Sequence, residues 1–299
     1  MLKYTGSFPV TMMADPQWQT AFAQSALKRV ELSTGGTPDE EFTEKLVRDL
    51  LPMQDAGILK AESLHLPFYP FAGINPSVFD EEVRRHTVQH FTGYIRRFRA
   101  LQIPHITIHC SGEPNETDPA QRRKRMEQMR RSCEEILPLM QELHCSLNLE
   151  LLPRTCIGNT VEELLAMVDG FPKEHIGILL DVNHGMDRGA AVPEMIRMCG
   201  ERLTALHISD YDNVNECHWN VGEGMLDWVA IQRELKAMPQ DLTVIIEVNH
   251  PALPAGRDYK IDPAYSIRNI ERNCMCMEYH REMEELLAKI RANGFKQTC

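Results

Sequence analysis

Residues 176–182 read IGILLDV and residues 242–248 read LTVIIEV, two nearly continuous apolar runs that each end on a carboxylate and a valine. A β-strand that is covered on both faces has this composition, because neither face meets water. Shorter runs of the same kind, such as ITIH at 106–109, recur along the chain. The strands predicted from these runs are 4–10, 29–33, 59–66, 105–109, 146–151, 176–181, 203–208 and 242–248.

Longer segments with amphipathic spacing follow the strands, and several begin with a helix-start signal. The clearest signal is Thr160-Val161-Glu162-Glu163, which has the Thr-x-x-Glu spacing of a capping box. The helices predicted from these segments are 16–27, 41–56, 78–101, 119–143, 160–169, 192–201, 225–237 and 262–294.

Eight strand–helix units in strict alternation predict a parallel sheet. Eight units fit a closed barrel better than an open doubly wound sheet, and no GxGxxG motif follows the first strand. No low-complexity stretch or Pro/Gly-rich linker divides the chain, and barrels of about 200–300 residues fold as one unit. We therefore predict a single-domain α/β protein, a (β/α)8 TIM barrel over residues 1–299.

The composition excludes some classes of function. The chain carries 32 Lys and Arg against 43 Asp and Glu, for a net charge of −11, which disfavours a general nucleic-acid binder. It shows neither the apolar core of a secretory signal nor a membrane-length apolar run of about 18 residues. The nine cysteines include no CxxC pair and are expected to be reduced thiols. We expect a cytoplasmic protein with no membrane partner.

Chemically capable residues lie at the carboxyl ends of the predicted strands, where a (β/α)8 barrel carries its working site. One His or Glu at a strand end is usually only solvated or hydrogen bonded. Here six consecutive strands, the third to the eighth, end in such a residue and converge on one barrel mouth. The residues are His65, His109, Glu150, Asp181, His207 and Glu247, with His184 three positions after Asp181.

Several carboxylates at one barrel mouth repel one another, and burying an unpaired charge costs several kcal/mol. A bound divalent cation removes that cost. Three of the carboxylates and one imidazole form a set suited to Mn²⁺, Zn²⁺, Co²⁺ or Mg²⁺, with positions left open for two adjacent substrate oxygens. The predicted ligands are Glu150, Asp181, His207 and Glu247.

These residues resemble those of the xylose isomerase-like barrel superfamily. That superfamily holds sugar isomerases, ketose 3-epimerases, inosose-processing enzymes and abasic-site endonucleases. The matching pieces are Glu150 in LNLELLPR, Asp181 and His184 in DVNHG, His207 in LHISD, His218 in HWNVGEGMLDW, and Glu247 in IIEVNH.

For the isomerases and epimerases, the resemblance implies one divalent ion on the four predicted ligands, a small carbohydrate substrate and no organic cofactor. An ion chelated by a carbonyl and the neighbouring hydroxyl would acidify the carbon-bound proton. Glu150 and Glu247, three strands apart, would then exchange protons with opposite faces of that carbon. The candidate substrate contacts are His184, His65, His109, His218 and Trp219.

Two alternatives stay open. The abasic-site endonucleases hold three Zn²⁺ ions, but their Asp-x-His pair on the seventh loop appears here as Glu216-Cys217-His218. The basic run at 122–125 is expected on a solvated helix face rather than in a nucleic-acid cleft. A dehydratase or binder of a cyclic polyol fits the same metal ligands. The Met-rich helix faces are compatible with a homo-oligomer.

Overall fold

Eight parallel strands form a closed barrel, in which each strand pairs with its neighbours in chain order and the first pairs with the last. The computed structural model describes residues 1–36, 38–68, 73–112, 116–250, 252–255 and 258–292. The register Leu2↔Leu242 to Gly6↔Ile246 closes the barrel. The strands are β1 Leu2–Pro9, β2 Arg29–Ser33, β3 Lys60–His65, β4 His105–Ile108, β5 Ser146–Glu150, β6 Ile176–Asp181, β7 Leu203–Ile208 and β8 Leu242–Ile246.

Helices surround the barrel, and most of them begin at a side chain that accepts a backbone N–H of the first turn. Asp residues provide this N-cap at five helices, and Thr160 provides it at a sixth. The helices are α1 Val10–Met13, α2 Pro16–Ala23, α3 Glu40–Asp55, α4 Glu81–Phe98, α5 Pro119–Leu143, α6 Val161–Val168, α7 Val192–Cys199, α8 Trp228–Ala237 and α9 Pro263–Ala292. None of the helices within the described ranges is long and apolar enough to cross a bilayer.

The predicted (β/α)8 barrel is confirmed, and its strands start and end within two residues of their predicted bounds. Residues 293–294 of the last predicted helix lie outside the described residues. The 3-10 segments Arg99–Leu101 and Gly200–Arg202 lie at the ends of the predicted helices 78–101 and 192–201. The elements that were not predicted are α1, the 3-10 segment Asn183–Ala191, and the hairpin of β9 Ala252–Ala255 with β10 Asp258–Ile261. Four-residue elements, and a 3-10 segment interrupted by non-helical residues, show no helix or strand periodicity.

The barrel interior is divided between polar and apolar side chains. Leu179, Ala205 and Ile245, from β6 to β8, form a small buried cluster separate from the main hydrophobic core. Buried polar side chains from the other strands share the interior with it: Thr5, Glu31, Ser63, Thr107 and Asn148. The main core lies between the strands and the helices. The candidate site residues lie at the carboxyl end of this partly polar interior.

Candidate metal centre at the barrel mouth

The imidazole of His207, on β7, lies at the centre of the barrel mouth. Its Nδ1 is 3.2 Å from Oε1 of Glu150, 3.2 Å from Oε2 of Glu247 and 3.8 Å from Oδ2 of Asp181. The side chains of Asp181 and His207 are fully buried, whereas the side chain of Glu247 is 29% exposed. The structure therefore brings the four predicted ligands together around one point, with Glu247 nearest to solvent.

Glu31, on β2, belongs to the same cluster and was missed in the sequence. It is fully buried, it accepts hydrogen bonds from the hydroxyls of Ser7 and Ser63, and it lies 3.2 Å from Nε2 of His207. A carboxylate in this position accepts a hydrogen bond from the Nε2–H of His207, which leaves Nδ1 facing the other three carboxylates. Glu31 lies within its strand, between Val30 and Leu32, so the pattern of polar strand ends gives no signal for it.

A second group extends the cluster around Glu150. Nε2 of His65 and Nε2 of His109 lie 3.0 Å and 3.1 Å from the same oxygen, Oε2 of Glu150. The Nδ1 of His65 faces the carbonyl oxygen of Leu66 at 2.9 Å, so this nitrogen carries a proton. Nε2 of His65 is then free to hold either a second proton or a cation beside Glu150.

A third group consists of His184, Glu216 and His218, whose ligand atoms all lie within 4.8 Å of one another. Nδ1 of His184 donates to the carbonyl of Leu151 at 2.8 Å, and its Nε2 is 3.1 Å from Oε1 of Glu216. Glu216 also forms an ion pair with Arg154. Glu216 stands where the abasic-site endonucleases have the Asp of their Asp-x-His pair, and it still brings a carboxylate to His184.

The electrostatics of the mouth favour a cation. Burial raises the pKa of Asp181 to about 6, and its Oδ2 is buried without a hydrogen-bond partner among the described residues. Burial alone would lower the pKa of His184, but Asp181, Glu216 and Glu150 outweigh it and raise that pKa to about 10. Buried carboxylates whose ion-pair partners are histidines, with Oδ2 of Asp181 in no hydrogen bond although Nδ1 of His184 lies 3.3 Å away, match the donor set of a divalent metal.

The loop after β7, residues 209–227, carries Glu216 and His218, and one buried carboxylate holds both of its ends. Asp210 accepts hydrogen bonds from the backbone N–H groups of Tyr211, Gly222 and Leu226 and from Nε1 of Trp228, at 2.8–3.2 Å. A Cβ at Gly224 would lie 2.3 Å from Oδ1 of Asp210. This close approach explains the second glycine of the Gly-Glu-Gly sequence.

The other candidate contacts take different positions. His218 donates from Nδ1 to the carbonyl of Glu247 at 3.1 Å, while Trp219 pairs with the Asp210 backbone and leaves its side chain 40% exposed. A cavity of about 260 Å³ lies over the second and third groups and is lined by Phe68, His109, Arg154, His184 and Glu216, among others. A larger cavity of about 560 Å³ lies between α4 and α5 at the opposite end of the barrel, away from these groups.

The expectation that residues 122–125 form only a solvated face is wrong for Arg122. Its guanidinium donates to the carbonyls of Thr155 and Cys156 at 2.6 Å and 2.8 Å, and to Glu163 at 2.7 Å. Arg122 therefore anchors the loop after β5. Glu163 is engaged there, so the Thr160 cap forms without the return bond of a capping box.

The fold and the cluster together define a class of protein. The family described as xylose isomerase-like TIM barrel matches residues 30–269, and the chain belongs to this family. A stretch of 119 residues, 39% of this chain, is 28% identical to the D-psicose 3-epimerase of Enterocloster bolteae. The chain spans only 62% and 38% of the lengths of two curated relatives that it matches.

Two solved structures show the same fold over nearly the whole chain. A D-tagatose 3-epimerase-like protein superposes with a TM-score of 0.74 and 18% identity, over 96% of this chain and 99% of its own. The IolI protein with a bound zinc atom superposes with a TM-score of 0.70 and 15% identity, over 92% and 97% of the two chains.

Proposed function

We propose that the protein is a divalent-metal-dependent isomerase or epimerase of a sugar, ketose or related polyol. The observation that carries this proposal is the position of Glu150 and Glu247, each with an oxygen 3.2 Å from Nδ1 of His207. They extend from β5 and β8, three strands apart around the barrel. Two carboxylates placed in this way can serve opposite faces of one substrate carbon.

The ion would be held by Glu150, Asp181, His207 and Glu247, and Glu31 would orient the imidazole. When bound, it would polarise a substrate carbonyl and so lower the pKa of the neighbouring C–H. Two observations support this assignment: Oδ2 of Asp181 is buried and makes no hydrogen bond among the described residues, and these carboxylates have no Lys or Arg partner in the described ion pairs.

The two glutamates differ in their surroundings, which suggests different roles. Glu247 is 29% exposed and faces the cleft, so it can accept a proton from a bound substrate. Glu150 is buried, and Nε2 of His65 and Nε2 of His109 both lie against its Oε2. Those imidazoles stabilise the ionised form of Glu150, and His207 and His218 do the same for Glu247, so the difference between the pair is the exposure of Glu247 to the cleft.

The comparisons support a carbohydrate substrate. A relative and a structural neighbour bear the names of a psicose and a tagatose 3-epimerase, and a further neighbour carries zinc. The substrate of this chain is an inference from those names together with the paired glutamates.

The test is solvent exchange. Metal-loaded protein incubated in heavy water with a panel of ketoses should introduce deuterium at the carbon beside the carbonyl. Glu150→Gln and Glu247→Gln should each abolish net conversion, since each face requires its own proton carrier. Glu223→Gln is the matched control, because Glu223 lies on the loop after β7 and its side chain is 55% exposed. This variant should keep full activity. Absence of exchange on every ketose by the metal-loaded wild type would refute the proposal.

A second candidate, a multinuclear zinc phosphodiesterase, is favoured by one observation. The second and third groups each offer three ligand atoms within 4.8 Å, and Glu150 belongs to both the first and the second group. Neighbouring ions bridged in this way can clamp the attacking and leaving oxygens of a phosphodiester. The net charge of −11 opposes binding to nucleic acid.

Metal stoichiometry separates the two candidates. An epimerase should bind one ion per chain, and His109→Ala and His218→Ala should raise KM without removing that ion. A phosphodiesterase should bind two or three zinc ions, lose one with either substitution, and cleave an abasic duplex. A product that has lost water, identified by mass spectrometry, would instead indicate a dehydratase.

A further inference from the structure

The outer face of α9 carries an unusual stripe of exposed side chains. Large apolar residues that are exposed on a helix, within the described part of the chain, all lie on α9. The exposed positions recur at alternating spacings of three and four residues. We call this set the α9 stripe: Tyr265, Arg268, Arg272, Met275, Tyr279, Glu282, Leu286 and Lys289.

The centre of the α9 stripe is apolar. Met275 is 71% exposed and Tyr279 is 59% exposed, and Leu286 follows at 52%. The opposite face of the helix is buried through Ile270 and Met277, so the stripe is not part of the intramolecular core. A spacing of three and four residues is the pattern by which one helix packs along another.

Charge is distributed unequally about that centre. Arg268 and Arg272 precede Met275, whereas Glu282 and then Lys289 follow Tyr279. The side chain of Arg272 is 55% exposed, although it also contacts Glu223 at 3.8 Å. A parallel pair of such helices would place arginine against arginine, which is repulsive. An antiparallel pair centred near residue 277 places Arg272 opposite Glu282 and Arg268 opposite Leu286 of the other helix.

We propose that the α9 stripe is the interface with a second copy of this chain, packed antiparallel about a two-fold axis near residue 277. In this register Met275 contacts the partner's Tyr279, and Arg272 pairs with the partner's Glu282. The same patch meets itself, as a two-fold interface requires. The occupant is a second copy because an inverted α9 stripe presents its own apolar centre to the apolar centre and its Glu282 to Arg272 on both sides of the axis.

The test is the oligomeric state of the full chain, measured by analytical ultracentrifugation over a concentration series. Wild-type protein should be a dimer, and Met275→Glu combined with Tyr279→Glu should be a monomer. Arg272→Glu or Glu282→Arg alone should weaken dimerisation at least about tenfold, because each places like charges together. The double variant Arg272→Glu with Glu282→Arg should return to within about threefold of wild type.

Glu44→Arg, a charge reversal at a 54% exposed position on α3, is the matched control and should remain dimeric. Circular dichroism and metal content, unchanged in every variant, would show that folding and the barrel mouth are intact. A wild-type monomer, or a dimer that survives the Met275 and Tyr279 substitutions, would overturn the proposal. Failure of the double charge reversal to restore the dimer would overturn the antiparallel register.

Discussion

Two histidines of the barrel have pKa values that are shifted in opposite directions. His105 lies at the amino end of the strands, and His207 lies at the carboxyl end. Burial of its ring lowers the pKa of His105 to about 4. Burial acts in the same direction on His207, but Glu247, Glu31 and Glu150 outweigh it and raise its pKa well above the usual value. The fold is the same at both ends, so the difference comes from the carboxylates collected at the mouth.

The buried carboxylates of the two ends differ in the same way. At the amino end Glu62, 1% exposed, has Lys60 at 3.1 Å and Arg29 at 3.7 Å, so permanent cations neutralise it. At the mouth Glu31 and Glu150 have only imidazoles as partners in the described ion pairs. The amino end therefore neutralises its buried carboxylate with Lys60 and Arg29. The mouth has no such cation in the described ion pairs, and a metal ion would supply the missing positive charge.

The largest expected effect is the loss of bound metal from the mouth. His207→Ala should lower metal content to near zero after dialysis and remove the increase in Tm that added metal gives the wild type. His105→Ala should retain the metal. Elemental analysis and thermal melts measure both properties. Equal metal content in the two variants would erase the contrast between the ends of the barrel.

Glu31→Gln should have the next largest effect, because it replaces the charged acceptor that orients His207 with a neutral amide. Loss of such a partner typically weakens metal binding about 10–100-fold. Glu62→Gln, the buried carboxylate of the opposite end, should leave the affinity unchanged. Titration calorimetry compares the two variants. If both substitutions weaken binding equally, Glu31 acts through overall stability rather than through the imidazole.

A smaller effect is expected in the pH dependence of stability of the metal-free protein. Folded His184 keeps its proton up to a pKa of about 10, whereas an unfolded histidine loses it near about 6.5. The folded state thus binds more protons, and the stabilisation, complete below about pH 6.5, is lost as pH rises toward 10. Urea titrations should show stability falling by up to about 1.4 kcal/mol per pH unit for this proton.

His184→Asn should flatten that pH dependence, and metal binding at neutral pH should release protons in the wild type but fewer in the variant. His105→Asn should change neither property, because the pKa of His105 lies below this range. Stability that rises with pH in the metal-free wild type would contradict the charge state assigned to His184.

The smallest effect is expected for Trp219→Ala. The side chain is 40% exposed at the edge of the mouth, so its removal should raise KM about two- to fivefold and leave kcat and metal content unchanged. Steady-state kinetics on the ketose identified by solvent exchange would measure this change. A loss of metal would instead place Trp219 within the centre.

The convergence of the four candidate ligands on one point could be predicted from the sequence, because strand periodicity locates strand ends and strand ends converge in a barrel. Glu31 could not be predicted in this way, since it points into the barrel from within β2. The sequences DVNH and EVNH share one spacing, yet His184 enters the cluster and the ring of His250 stacks on Phe8 at 5.4 Å. The chain after β6 turns through a 3-10 segment over the mouth, and such a turn carries no sequence periodicity.

Because Asp210 binds both ends of the loop after β7, residues at the tip of that loop can be replaced without moving its ends. Within the tip, Asp212 accepts hydrogen bonds from the N–H groups of Val214 and Asn215 at 2.8 Å and 2.7 Å. The contacts of the tip with the rest of the barrel are few: the N–H of Gly189 donates to Asn213, Asn249 donates to the carbonyl of Cys217, and Glu216 pairs with His184 and Arg154. A lineage could therefore lengthen, shorten or replace residues 212–217 while β7 and His207 keep their positions. Replacing Glu216 in this way would remove one ligand group and leave the other two, so the number of ions could diverge among descendants of one barrel.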